Sequence, residues 1–177
     1  MKVITIYLEN IPHYGIFIKK PDIKKLVFNN LKSGTYLDMI AANKILMKTT
    51  LQKKIFIVDD DPFWNKKMTE ALTNLGYSNI ISFESGEDCI NNLHLNPAII
   101  FLDYQMKAVD GLEVLRRAKQ YLPGIDIIFC TAKEDMALAI HAMKSGSFDF
   151  LIKHKITEEQ LGDILDSLCM QEVDKIY

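Results

Sequence analysis

Apolar residues along this chain fall into two alternating patterns. Short, continuous, β-branched runs are separated by longer stretches in which apolar positions recur every three or four residues. Lys54–Val58 (KIFIV) is such a run and predicts a buried strand. Pro62 suits the first turn of a helix that Gly76 ends after about Leu75. Asn79–Phe83 predicts a second strand, and Ser85 an N-cap with Glu87 and Asp88 in the first helical turn. Ala98–Leu102 is the third strand. Asp110-Gly111 opens a helix with Leu112, Leu115 and Ala118 at helical spacing, which Pro123-Gly124 breaks. Ile125–Cys130, a helix over Glu134–Lys144, Phe148–Ile152 and a helix capped by Thr157 complete the series. Strictly alternating strands and helices predict a parallel sheet covered on both faces, because parallel crossovers need a helix and run right-handed. In such sheets ligands sit at the carboxyl ends of the strands.

Composition narrows the reading. The chain has 177 residues, about half of them apolar, and a formal charge of −2. It therefore suits one globular domain with an appendage, with no basic surplus for nucleic acid or anionic lipid. Cys89, Cys130 and Cys169 have no metal-binding or redox spacing and read as fillers in a reducing compartment. No apolar run is long enough for a membrane span, and no signal-peptide cleavage site follows the N-terminus. A cytoplasmic protein is expected.

The chain divides unequally. Residues 1–46 carry seven Lys against three acids, whereas 47–177 carry fourteen cationic residues against twenty acids. The first part holds no chemical motif, and Met47 would itself begin a domain at strand one. Residues 1–46 are thus expected to be an extension that is poorly ordered or not part of the native chain, and 47–177 the functional domain. A peptide spanning Ile23–Lys44, detected by mass spectrometry of the native protein, would sink the second alternative.

Candidate chemistry gathers at the strand ends. Strand one runs into Asp59-Asp60-Asp61 and strand three into Asp103. So many carboxylates on one sheet edge repel unless a cation lies among them, and oxygen-only ligation suits magnesium. Strand four ends at the hydroxyl of Thr131 and strand five at the ammonium of Lys153. A carboxylate nucleophile, a hard cation, a hydroxyl and a lysine are what phosphoryl transfer to an aspartate requires. Singly, each residue has an ordinary explanation: Asp-Pro and Asp-Gly make turns, Thr caps helices, and a lysine after a strand is usually solvated. The joint pattern carries the inference.

KIFIVDDDPF, IIFLDYQMKAVDGLEVLR, IIFCTAKED and GSFDFLIKH resemble, in order and spacing, the signature segments of response-regulator receiver domains, over about Lys53 to Met170. The resemblance implies a flavodoxin-like doubly wound (βα)5 fold. It implies Asp103 as phosphoacceptor, Asp59 and Asp60 as the acidic pair holding Mg2+, and Gln105 lending its backbone carbonyl to the ion. It implies Thr131 as the switch hydroxyl, Lys153 as the phosphate-pairing cation and Phe150 as the switch aromatic, for which a plain core role is the equal alternative. The implied partners are a sensor histidine kinase or phosphotransfer protein and a downstream protein target, with no nucleic acid or membrane, the chain being a monomer or a phosphorylation-dependent dimer. The protein would be a signalling phosphoacceptor, not an enzyme, and the short remainder after the last helix leaves no room for an output domain.

Two positions depart from the family pattern. Lys107 follows Met106 where the family usually has proline, and His154 follows Lys153 where it has proline in a bond that is typically cis. A non-proline cis bond costs ~2.5–4 kcal/mol, so that bond is either trans, with Lys153 re-aimed, or cis and strained. Gln105 and Lys133 stand where an acid would orient attacking water, so the phosphoryl state is expected to outlast a few seconds. A haloacid-dehalogenase-like phosphatase would need an acid at Gln105, and a nucleotide-binding domain a glycine-rich loop at Asp59-Asp60-Asp61. The remaining alternative is a degenerate receiver acting as a phosphorylation-independent binding platform, for which only Lys153-His154 speaks.

Overall fold

The computed structural model describes residues 51–107 and 109–174, with side chains described through Leu168. The expectations for residues 1–46 lie outside the described residues. Five parallel strands form one sheet in the order β2-β1-β3-β4-β5. They are β1 (Ile55–Val58), β2 (Ile80–Phe83), β3 (Ile99–Asp103), β4 (Asp126–Thr131) and β5 (Asp149–Ile152). The helices between and after them are α1 (Pro62–Asn74), α2 (Gly86–Asn91), α3 (Gly111–Tyr121), α4 (Met136–Lys144) and α5 (Glu158–Asp174). This is the parallel sheet with helices on both faces predicted from the alternation, in the flavodoxin-like doubly wound order that the resemblance implies, the order changing direction at β1.

The helices begin where their caps dictate. Asp61 accepts from the Phe63 amide at 3.0 Å ahead of Pro62, and Asp110 accepts from the Glu113 amide at 2.9 Å. Ser85 and Thr157 cap α2 and α5 in the same way. The helix after Ser85, which the sequence pattern extends to about Leu95, stops at Asn91, and a 3₁₀ turn over Leu93–Leu95 follows. The helix predicted from Glu134 starts at Met136, because Asp135 turns outward to cap the Ala137 and Leu138 amides. Gly76 ends α1 at φ +92°, where a side chain would be strained.

Central strands are apolar on both faces because helices cover both. Phe56 and Val58, Ile100 and Leu102, and Ile127 and Phe129 point to one face and pack with Cys89 and Leu93, with Val114, Leu115 and Ala118 of α3, and with Ala142 of α4. Ile55, Ile57, Ile99, Phe101 and Ile128 alternate to the other face. There α1, with Met68 and Leu72 buried, packs on β1 and β2. α1 lies beside the start of α5, where Asn74 donates to Glu158 at 2.7 Å. The register matters for the site. Val58 pairs with Leu102 and Asp103 with Cys130, so Asp59 and Asp103 leave adjacent strands at one level.

Candidate functional site

The three acids meet as the register requires. One carboxylate oxygen from each of Asp59, Asp60 and Asp103 lies within 4.8 Å of the others. Asp59 and Asp103 are 1% and 5% exposed, although both are charged side chains. Strand four delivers Thr131, 1% exposed, at the neighbouring tip, and its hydroxyl accepts from the Lys133 amide at 3.3 Å. Lys153 follows β5 directly, and its Nζ contacts Asp59 Oδ2 and lies 3.1 Å from Asp103 Oδ1. All peptide bonds among the described residues are trans, Lys153–His154 included. The lysine therefore reaches both acids without a cis bond, from a 3₁₀ turn over Lys153–Lys155.

Electrostatics explain why these groups need one another. Burial raises the Asp103 carboxyl to about 6, against a smaller downward pull from Lys153 and a further upward push from Asp59 and Asp60. Asp59 is raised for the same first reason, burial, with Lys153 and the Asp61 amide opposing it. On Lys153 itself burial acts downward, but its two carboxylate partners outweigh that and hold the ammonium charged. Lys153 also lies 5.5 Å from the centre of the Trp64 ring, a cation–π distance.

The donor set fits a hard divalent cation. It is made of oxygen alone, it is anionic, and Asp59 Oδ2 is buried and receives no well-directed hydrogen bond even though Lys153 touches it. Gln105 lies on the loop after β3 with its side chain exposed, two residues past Asp103. Phe150 sits on β5 beside Phe129, half-buried at the margin of the core. Asp61 is turned away from the cluster as the α1 cap, its amide donating to Asp59 Oδ1 at 3.0 Å.

Sequence reasoning missed two supports of the site. Asn65, 5% exposed on α1, donates from Nδ2 to the backbone carbonyls of Asp59 at 2.8 Å and Phe83 at 3.2 Å, tying the ends of β1 and β2 together. A polar residue between Trp64 and Met68 on a helix was the available signal, but it does not say what the amide reaches. Gly111 was read as a turn residue. A Cβ there would lie 2.4 Å from the Asp103 carbonyl oxygen and 2.7 Å from Phe129 Cε1, so only glycine lets α3 come in under the Asp103 tip.

Comparison with known proteins agrees with this arrangement. Residues 55–166 match the response regulator receiver domain family. Over 99 residues the chain is 36% identical to the DNA-binding transcriptional regulator NtrC of Klebsiella pneumoniae, covering 55% of this chain and 21% of that one. It is 28% identical over 102 residues to the chemotaxis protein CheY of Thermotoga maritima, covering 57% of this chain and 85% of that one. The chain thus spans about a fifth of the NtrC relative and most of the CheY relative. A BeF3-activated DrrB receiver domain superimposes with a TM-score of 0.60 at 27% identity, covering 66% of this chain and 97% of that one. With its five parallel strands, its converging acids and its lysine at the end of β5, this chain belongs to the response regulator receiver family.

Proposed function

We propose that the domain accepts a phosphoryl group on Asp103 and signals by protein contact. The observation that carries this reading is the pairing of a buried, anionic Asp103 with Asp59, Asp60 and Lys153 on one sheet edge. With its pKa raised to about 6, the Asp103 carboxylate is still mostly ionised at neutral pH and more basic than an ordinary aspartate. One of its oxygens attacks the phosphorus of a donor, either a phosphohistidine or a small acyl phosphate. The bond from phosphorus to the donor's nitrogen or oxygen breaks, and an acyl phosphate remains on Asp103. Asp59, Asp60, Asp103 and the Gln105 carbonyl would hold Mg2+, which when bound neutralises charge on the phosphoryl oxygens. Lys153 supports a further oxygen, and the Thr131 hydroxyl, released from the Lys133 amide, donates to another.

Loss of that Thr131 contact frees the loop after β4 to move. Phe150 then turns inward, changing the surface of α4, β5 and α5. α4 already exposes Met136, Ile140 and Met143, and an apolar surface of this kind suits a protein target. The donor would be a histidine kinase or phosphotransfer protein, and the chain a phosphoacceptor, not a turnover enzyme. The binding-platform alternative loses its one argument, since Lys153 reaches Asp59 and Asp103 across a trans bond.

Incubation with acetyl phosphate, with and without Mg2+, followed by intact-mass measurement tests the reading. One Mg2+-dependent phosphoryl adduct, absent in Asp103→Ala, is the expected outcome. No adduct under any condition overturns it. With Gln105 and Lys133 beside the site, the adduct should persist longer than a few seconds after the donor is removed.

A further inference from the structure

The site contains a second ammonium that the transfer reaction does not need. Lys107 lies on the loop between β3 and α3, and its Nζ is 3.5 Å from Asp60 Oδ2. The two lysines divide the acids between them: Lys153 pairs with Asp59 and Asp103, and Lys107 with Asp60. They differ sharply in setting. The Lys153 side chain is 15% exposed and held between two carboxylates, whereas that of Lys107 is 91% exposed and touches one carboxylate at more than hydrogen-bond length. An ammonium on a flexible, solvated stem loses little when it lets go, so Lys107 is the more readily displaced of the two lysines. Asp60, at 28% side-chain exposure, is also the most accessible of the three acids.

We infer that Lys107 is a tethered counter-ion of Asp60, which competes with Mg2+ for the acidic cluster and thereby weakens the affinity of this receiver for the ion. The inference rests on the proposed reading of Asp59, Asp60 and Asp103 as the divalent site. A cation that arrives must remove Lys107 from Asp60 and then shares the cluster with a positive charge on its rim. Both effects lower affinity without touching the groups that transfer phosphorus. Both are also screened by salt, because the Lys107 stem lies in water.

The test is Mg2+ titration of the full chain by calorimetry, and by the fluorescence of Trp64, the only tryptophan, whose ring lies 5.5 Å from Lys153 Nζ. Lys107→Ala should bind Mg2+ about three- to fivefold more tightly than wild type at low ionic strength. The gain should shrink at ~0.5 M monovalent salt, where the Debye length falls below about 5 Å. Lys107→Arg, which keeps the charge, should stay near wild type. In an Asp60→Asn background, removing Lys107 should change the Kd by much less, which assigns the effect to that pair. Magnesium binding that depends on Asp60 but is the same, or weaker, in Lys107→Ala overturns the counter-ion role and leaves the divalent site standing. Absence of Mg2+ binding in wild type and Lys107→Ala alike overturns the site reading and this inference together.

Discussion

The interiors of β1, β3 and β4 and the tips of the same strands are equally buried and chemically opposite. Phe56, Ile100, Phe101 and Phe129 are 0–1% exposed and surrounded by apolar groups on the two faces of the sheet. Two or three residues further along, Asp59, Asp103 and Thr131 are 1–5% exposed and polar. Burial of a large apolar side chain contributes roughly 1.5–3 kcal/mol. Burial of a carboxylate costs free energy unless cations and donors compensate, and at Asp103 they do so only in part, which leaves its pKa near 6. Low exposure therefore means stabilisation in the strand interiors and tension at the tips. The fold is held by the first and used at the second.

Substitution should separate the two regions clearly. Phe56→Ala removes a ring that is 0% exposed and packs edge-on to Phe83 at 4.8 Å. Urea unfolding should show a loss of ~3–5 kcal/mol. A loss below ~1 kcal/mol would mean that the interior is not the source of stability. Gly111→Ala is expected to be the next largest. Its new Cβ meets the Asp103 carbonyl and the Phe129 ring, and because the first of these is backbone, the strand tip or the loop must move. The cost should be ~1–3 kcal/mol, set against the small helix-propensity gain of alanine. Unlike Phe56→Ala, it should also weaken Mg2+ binding at temperatures where the protein remains folded.

Much of this comparison was legible from the residue pattern. Continuous runs such as Lys54–Val58 announced buried parallel strands, and punctuation by Pro62, Gly76 and Pro123-Gly124 bounded helices between them. The alternation predicted a parallel sheet covered on both faces, and the resemblance to receiver domains implied the flavodoxin-like order that makes strands one and three neighbours, so that their terminal acids fall at one level. What stayed hidden depends on geometry between elements. The reach of Asn65 to two carbonyls, and the lack of room for any side chain at Gly111, arise where α1 and α3 cross the sheet. The pairing of Lys107 with Asp60 is likewise made between two loops that are far apart in sequence. The Lys153–His154 bond could be read only as two alternatives, and its trans form fits a 3₁₀ turn that still aims the ammonium at the acids.

Asp103→Asn should move stability in the opposite direction from the core variants. The folded state raises this carboxyl from 3.8 to about 6, so between those values the native protein binds more protons than the unfolded chain. Stability contributed by the protonated form is present below about 3.8, falls as pH rises through that window, and is fully lost above about 6. The neutral amide avoids that loss. In the absence of divalent cations at pH 7.5, Asp103→Asn is expected to be more stable by on the order of 1–2 kcal/mol. The upper part of what the shift allows is offset because the amide also weakens the partnership with Lys153. The difference should close towards pH 4, and Mg2+ should narrow it at neutral pH by stabilising the wild type alone. Lower stability of Asp103→Asn at pH 7.5 would show that the Lys153 contact outweighs burial and that this tip is not under tension.

The smallest expected change in stability falls at the third tip. Thr131 is as buried as the strand interior, but its hydroxyl carries no charge and makes a single contact of 3.3 Å with the Lys133 amide. Thr131→Val keeps the shape and exchanges the hydroxyl for a methyl group. The exchange gains apolar burial and leaves one partly exposed amide without its partner, two effects of similar size and opposite sign. The net change should be below about 1 kcal/mol. Phosphorylation by acetyl phosphate should still occur on Asp103, because the nucleophile and its counter-charges are intact. What should disappear is the response that follows, read as phosphorylation-dependent changes in amide hydrogen exchange over α4 and β5. A preserved exchange response in Thr131→Val would mean that the signal leaves the site by another route, with Lys153 and the turn over Lys153–Lys155 as the next segment to follow. A large loss of stability would instead place Thr131 with the interior, as a residue that the fold needs before the switch can use it.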